Sequence, residues 1–194
     1  MARVLFSGGK DSALSALLLE PFYDVTLVSG TFGIRDTAAE GRAAAEALGL
    51  PFEAVELDRE VAEAAVERMV ADGYPSGGIQ LVHEHALETV AETADVVADG
   101  TRRDDRAPTV DRPLAQSIED RFGVDYVAPL SGYGRGAVDD LVERELSVET
   151  GPSESIPKAD YETELRALLA GEHGPSAVDE VFPDHEQSRV VGRR

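Results

Sequence analysis

The sequence predicts an α/β fold in which five mostly parallel strands form a doubly wound sheet with helices on both faces. One reason is that short apolar segments alternate with longer segments whose apolar residues recur at helical spacing. The other is that the first apolar segment, Val4–Phe6, is followed at once by glycines. This pattern is expected where a buried parallel strand ends in a loop.

Five segments have the apolar, β-prone composition of buried strands. We expect strands at 4–6, 25–28, 52–57, 96–98 and 126–128. Segments with helical periodicity follow them, several closed by a glycine. We expect helices at 13–18, 38–48, 61–70, 80–93, 114–122, 138–146 and 160–170. A Gly-Pro-Ser linker is expected at 151–155, and the tail at 182–194 is expected to fray.

The composition is strongly acidic, with a formal net charge of -20 over 194 residues. Only Lys10 and Lys158 are lysines, and the other basic residues are arginines. We interpret the carboxylates as a surface adapted to a cytoplasm rich in salt, where a Debye length of about 3 Å screens their repulsion. The acidity argues against nonspecific nucleic-acid binding, but local arginine clusters keep RNA open as a substrate.

Cysteine is absent from the sequence. The chain therefore holds no disulfide, cysteine zinc site, iron-sulfur cluster or cysteine nucleophile of its own. The sequence also has no apolar stretch long enough to cross a bilayer and no signal-peptide pattern at its N-terminus. From these features we expect a cytoplasmic protein without a membrane partner.

A glycine-rich loop, Ser7-Gly8-Gly9-Lys10-Asp11-Ser12, joins the first strand to the first helix. Backbone N–H groups and the positive end of the helix dipole meet there, which favours bound anions and above all phosphate. The glycines allow close approach to the backbone, and the serine hydroxyls add donors. Asp11 could hold Mg²⁺ that bridges phosphates. The loop differs from a Walker loop, because Lys10 is followed by aspartate.

A second polar cluster, Asp99–Arg106, follows the fourth strand at the ligand-binding edge of the sheet. We expect Gly100 and Thr101 to face the glycine-rich loop. Arg102 could stabilise charge on a phosphate, and Asp105 could share Mg²⁺ or orient an attacking group. A solvated loop with mutually paired charges is the alternative.

Three other features bear on the candidate site. The loop 129–135 follows the fifth strand and is either a second ligand contact or a plain turn. His83 and His85 are two residues apart, so they cannot ligate one metal from a helix, and we expect both to be structural. The tail from His185 to Arg194 could instead fold over the site or contact RNA.

The loop motif resembles that of the PP-loop (N-type) ATP pyrophosphatases, which include asparagine synthetase, NAD synthetase and tRNA thiolation enzymes. The segments Gly100–Arg106, Asp160–Leu165 and Phe182–Arg189 resemble those of uncharacterised archaeal PP-loop ATPases. The resemblance implies a Rossmann-like, adenine nucleotide alpha hydrolase-like sheet, bound ATP and Mg²⁺, and an adenylated intermediate. It also implies an ATP-binding domain at 1–147, with a linker, helix and tail at 148–194 packed on or near it.

The catalytic candidates are Asp11, Arg102 and Asp105. The expected metal ligands are Asp11 and Asp105. The residues expected to contact ATP are Ser7, Gly8, Gly9, Lys10, Asp11, Ser12, Gly100 and Thr101. The leading hypothesis is an AMP-forming ligase that uses ammonia or an amine, since the sequence has no cysteine to carry sulfur. The alternatives are a tRNA-base-modifying enzyme with an external donor and a nucleotide-binding module without chemistry. The acceptor is either a small molecule or RNA. A homodimer is one possible oligomeric state.

Overall fold

The computed structural model describes residues 1–153 and 155–194 and contains a five-stranded parallel sheet. The strands are β1 Ala2–Leu5, β2 Val25–Thr31, β3 Phe52–Glu56, β4 Val96–Ala98 and β5 Asp125–Val127. Their order is β3-β2-β1-β4-β5, and every neighbouring pair is parallel. The predicted α/β fold is therefore confirmed.

Helices cover both faces of this sheet. They are α1 Lys10–Leu19, α2 Ala38–Leu48, α3 Arg59–Asp72, α4 Ser76–Ala91, α5 Arg112–Phe122, α6 Arg135–Glu145, α7 Tyr161–His173 and α8 Pro175–Val181. Consecutive strand residues point into different cores, since Val4 packs with α1 and α2 whereas Leu5 packs with α3 and α4. Burial on both faces explains why the strands read as continuous apolar runs.

The strand order reverses direction at β1, which has β2 on one side and β4 on the other. Loops that leave β1 and β4 therefore run toward opposite faces and open a crevice at the carboxyl edge of the sheet. This is the edge at which the glycine-rich loop and the 99–106 cluster were predicted to meet.

The C-terminal segment corrects one prediction, because its tail is an ordered strand. Strand β6, Leu146–Pro152, pairs antiparallel with β7, Glu186–Arg193. Val190 is buried and its N–H donates to the carbonyl of Gly8. The expected fraying is wrong because these contacts anchor the tail. The predicted linker at 151–155 overlaps the end of β6, and its residue 154 lies outside the described residues.

Within the described ranges, no helix combines the length and the apolar character that a bilayer crossing requires.

Candidate nucleotide site

The glycine-rich loop is braced by its own serines. Gly8 has a φ of +79°, a backbone conformation that side chains rarely adopt, and it turns the chain from β1 toward α1. Ser12 Oγ accepts from the amide of Ser7 at 3.3 Å and donates to the carbonyl of Gly9 at 3.2 Å. Gly9 N–H in turn donates to Ser7 Oγ at 3.3 Å. The loop is thus held in one shape at the N-terminus of α1.

Gly100 brings the second cluster against this loop. A Cβ added to Gly100 would lie 2.6 Å from the amide nitrogen of Ser12 and 2.9 Å from the carbonyl carbon of Asp11. Only glycine allows the turn after β4 to approach the first turn of α1 so closely. The predicted approach of Gly100 to the loop is found, and Thr101 lines the same cavity as the loop.

Arg102 and Asp105 form a closed pair beside the loop. The amide of Arg102 donates to one oxygen of the Asp105 carboxylate at 2.7 Å, and its guanidinium donates to the other oxygen at 2.7 and 3.0 Å. A guanidinium nitrogen of Arg102 lies 3.7 Å from Asp11. The pKa of Arg102 is raised, since its bonds to Asp105 and the nearby charges outweigh desolvation by burial, which lowers it. Arg102 thus stays charged next to the loop.

The ammonium of Lys10 lies near two carboxylates, one in the loop and one on α6. Its ammonium lies 3.2 Å from Asp11 and 3.2 Å from Asp139 of α6. All three side chains keep some contact with solvent. Within the described ranges, no three His, Asp or Glu side chains converge in a way that could hold a metal ion. A magnesium ion at Asp11 would therefore depend on phosphate oxygens for the rest of its ligands.

A buried series of hydrogen-bonded polar residues, which no local sequence pattern predicts, lines the same cavity. His83 from α4 contacts Asp99 through Nε2 at 2.8 Å and the Tyr161 hydroxyl through Nδ1 at 2.8 Å. Asp99 also accepts from the amide and hydroxyl of Thr101 at 2.9 and 2.7 Å. A structural role was expected for His83, but it lies in the cavity wall. His85 accepts from the amide of Asp58, as a structural residue would.

Asp99 is ionised in this environment. Burial by itself raises the pKa of the Asp99 carboxyl. The hydrogen bond and charge of His83, together with the bonds from Thr101, outweigh burial and leave the pKa below its ordinary value. The carboxylate is 1% exposed, so its compensation comes from these partners and not from water.

The C-terminal segment closes the remaining side. The amide of Ala159 donates to the carbonyl of Ser7 at 3.1 Å, and the amide of Lys10 donates to Ser188 Oγ at 3.2 Å. Lys158 pairs with the buried Asp160 at 2.9 Å. Burial raises the pKa of Asp160, but the charge and hydrogen bond of Lys158 and the bonds from Thr163 lower it below its usual value. Two distant parts of the chain therefore complete the loop.

These elements enclose a cavity of about 450 Å³. One part of its lining is polar and consists of the glycine-rich loop, the 99–101 turn, His83 and 158–162. Another part is apolar and includes Leu5, Tyr74, Ile79, Pro108 and Phe182. A volume of this order with a few convergent polar groups is typical of small-molecule sites. The loop 129–135 joins β5 to α6, and none of its residues is among the described residues that line this cavity.

The arginines of the tail differ from those at the carboxyl edge of the sheet. Those of the tail are occupied, because Arg189 pairs with Glu40 and Glu149, and Arg193 with Glu20. By contrast Arg103, Arg106 and Arg135 are exposed and have no carboxylate partner among the described residues. Arg106 lines the cavity, and the guanidinium of Arg103 lies 3.2 Å from the position of a Cβ on Gly134. We call Arg103, Arg106 and Arg135 the arginine rim.

The chain belongs to a family of unknown function (DUF7411), whose model matches residues 1–192. It is 38% identical over 190 residues to an uncharacterised protein of Methanocaldococcus jannaschii, covering 97% of this chain and 94% of that protein. The structure is similar to the crystal structure of a predicted subunit of tRNA methyltransferase from M. jannaschii, with a TM-score of 0.89 and 37% identity. That match covers 100% of this chain and 97% of the other.

The fold is also similar to that of the U34-tRNA thiolase NcsA of Methanococcus maripaludis with its [4Fe-4S] cluster. The TM-score is 0.50 at 22% identity, and the match covers 73% of this chain and 56% of the thiolase. At that identity the likeness concerns the fold alone.

Proposed function

We propose that this member of DUF7411 is an ATP-dependent enzyme of the PP-loop type that transfers AMP to a base of an RNA, with release of pyrophosphate. The observation that carries the proposal is the approach of Gly100 to the first turn of α1, where a Cβ would lie 2.6 Å from the amide of Ser12. It sets an arginine and a buried polar network beside a loop whose amides suit phosphate.

The residues of the polar part of the cavity fit a triphosphate. The loop amides that are not used inside the loop and the hydroxyl of Ser7 would donate to phosphate oxygens, and Lys10 and Lys158 would add positive charge. Asp11 fits magnesium, because Mg²⁺ takes one or two carboxylates and phosphate oxygens for its other ligands. When bound, the ion would neutralise charge on the phosphates. Both oxygens of Asp105 accept hydrogen bonds from Arg102, so coordination of Mg²⁺ by Asp105 would compete with these bonds.

Arg102 is suited to the charge that develops at the α-phosphate. Its guanidinium is fixed by Asp105 and lies near Asp11, so it needs little reorganisation to meet a phosphate oxygen. The apolar part of the cavity, with Tyr74, Ile79 and Phe182, offers the kind of surface that a nucleoside requires.

The arginine rim favours RNA over a small acceptor. In a chain with 38 acidic residues, three exposed arginines without a carboxylate partner at one edge of the sheet are available for phosphates. Tyr133 and Tyr74 are 39% and 46% exposed, and exposed aromatic rings stack on unpaired bases. The tRNA-related names of the two archaeal structural neighbours agree with this choice. With no cysteine in the chain, any sulfur would have to come from an external donor.

The test is product analysis with ATP labelled at the α-phosphate, in concentrated KCl with Mg²⁺ and with total archaeal tRNA, ammonia and small-metabolite fractions supplied separately. With tRNA we expect pyrophosphate and label on the RNA, or free AMP once water or an added nucleophile displaces it, and a loss of at least about 100-fold in Asp11→Ala. Asp139→Ala is the matched control, since Asp139 also pairs with Lys10 but lies on α6. Product with ammonia and a small metabolite alone would instead support the ligase, and ADP as product would overturn the proposal.

RNA binding is tested separately with Arg103→Ala/Arg135→Ala. We expect tRNA affinity to fall about 10-fold and the slope of affinity against salt to decrease by about two phosphate contacts. Arg121→Ala/Arg144→Ala removes the same charge from the last turns of α5 and α6 and should change binding less than about 2-fold. Equal losses in both double variants would argue against the rim.

A further inference from the structure

Tyr161, His83 and Asp99 form a continuous chain of hydrogen bonds that starts at the cavity and ends in the core. The two links, Tyr161 hydroxyl to His83 Nδ1 and His83 Nε2 to Asp99, are both 2.8 Å long. The carboxylate and the imidazole are 1% and 4% exposed, whereas Tyr161 is only partly buried. All three residues line the cavity that contains the glycine-rich loop.

The direction of the hydrogen bonds in this series is set by the Asp99 carboxylate. The Asp99 carboxylate takes an N–H donor at Nε2 of His83, and a relay requires the neutral tautomer in which Nδ1 is the acceptor. In that tautomer Tyr161 donates its hydroxyl proton to Nδ1. Burial raises the pKa of Tyr161, and the charges of Asp160, Asp99 and Glu162 raise it further, so the hydroxyl keeps its proton. The order is carboxylate, imidazole, hydroxyl, and Tyr161 is the least buried of the three residues.

We propose that this chain is a proton relay, in which Tyr161 takes a proton from the RNA base as it is adenylated and passes its own proton to His83. The proposal rests on the proposed function and names the group that accepts the proton in it. Tyr161 is then a catalytic residue, and His83 and Asp99 are positioning residues that act through it.

The step balances for a base that carries a carbonyl next to a ring N–H. The carbonyl oxygen forms a bond to the α-phosphorus, the bond from that phosphorus to the bridging oxygen breaks, and pyrophosphate leaves with the electron pair. The ring N–H proton moves to the Tyr161 oxygen as the Tyr161 proton moves to His83 Nδ1. The imidazolium is stabilised by Asp99 and returns its proton to solvent when the products leave.

The charges around the relay favour this uptake. Asp99 contacts the ring directly, and Asp160 and Glu162 flank Tyr161 in the sequence of α7 and its cap. The cations on this side are paired, Lys158 with Asp160 at 2.9 Å and Arg166 with Glu162 at 2.8 Å. Tyr126 donates to Asp99 at 3.2 Å from β5 and is neutral. An imidazolium at His83 would be stabilised by its direct contact with the Asp99 carboxylate.

The test compares Tyr161→Phe with Tyr126→Phe in single-turnover adenylation of tRNA. Both variants delete one hydroxyl that is hydrogen-bonded to the network, but Tyr126 is not among the described residues that line the cavity. We expect the rate of Tyr161→Phe to fall about 100-fold, with ATP and tRNA dissociation constants unchanged within about 2-fold. Tyr126→Phe should stay within about 3-fold of the wild type. Thermal melting of each variant checks that the fold is retained.

A pH profile separates proton transfer from a structural effect. The relay makes the wild-type rate depend on pH, and this dependence should be lost in Tyr161→Phe and in His83→Gln, whose amide still donates to Asp99. Unchanged rates, or a pH dependence that persists in both variants, would overturn the relay while leaving the adenylation proposal intact. A wild type that forms no AMP with any RNA would overturn the proposed function, and the relay with it.

Discussion

The two walls of the cavity are built in different ways. One wall is the loop Ser7–Ser12, six consecutive residues that follow a strand and brace one another. The facing wall joins His83, Asp99 and Tyr161, which meet only because α4, β4 and α7 pack together. The first wall needs little beyond local backbone geometry, whereas the second exists only in the folded chain. Function at this site therefore depends on distant contacts that hold the second wall against the first.

The strongest of these distant contacts is Glu164 of α7, which is fully buried. Its carboxylate accepts from the amides of Phe32 and Ile34, both at 2.8 Å, and of Arg35 at 3.1 Å. This anchors the turn after β2 to the helix that carries Tyr161. We expect Glu164→Ala to lower the free energy of unfolding by at least about 3 kcal/mol, because buried amides lose their acceptor.

Urea unfolding in concentrated KCl measures this effect. Glu172→Ala is the control, since Glu172 is on the same helix and exposed, and it should change stability by less than about 0.5 kcal/mol. If the Glu164 variant were equally stable, the second wall would not depend on that carboxylate. ATP affinity in the surviving folded fraction would then also be expected to stay near wild type.

Gly100 is the point at which the two walls touch, so its substitution sharpens the comparison. We expect Gly100→Ala to cost about 1–3 kcal/mol of stability, because the added methyl group would meet backbone atoms that cannot rotate away. ATP binding, measured by calorimetry, should weaken more than about 10-fold. Gly132→Ala places the same methyl group where no atom lies within 4 Å and should leave both quantities near wild type. Similar losses in the two variants would mean that the contact at Gly100 is unimportant.

The contrast between the walls also explains which parts of the fold and of the site could be predicted from the sequence. The sheet, most of its helices and the glycine-rich loop follow from periodicity and from glycines at element ends, which are local signals. The His83 network and the pairing of β6 with β7 join residues from distant parts of the sequence, so no local pattern marks them. The tail was expected to fray because its few apolar residues gave no sign of a partner strand. Phe182 and Val190 are buried among them, and the partners of Val190 lie in β6 and the loop.

Acid should weaken the second wall before the first. Asp160 has a pKa below its ordinary value in the folded state because Lys158 and Thr163 outweigh its burial, so it contributes stability above the unfolded-state pKa of about 3.9. That contribution is lost as the pH falls through the folded-state pKa. Asp160→Asn keeps an acceptor for the amide of Thr163 but loses the charge opposite Lys158.

We therefore expect Asp160→Asn to be about 1–2 kcal/mol less stable than wild type at pH 7, with the difference shrinking as the pH falls below about 4. Urea midpoints between pH 3 and pH 7 measure this convergence. Asp58→Asn changes the corresponding cap of α3, whose carboxylate is exposed and accepts from the amide of Glu60, and should stay within about 0.5 kcal/mol of wild type at pH 7, because Asn caps a helix about as well as Asp. A constant offset between Asp160→Asn and wild type would mean that the pairing with Lys158 carries no pH-dependent stability. Asp160 would then stabilise α7 only through its hydrogen bond to the amide of Thr163, as the serines stabilise the loop of the first wall.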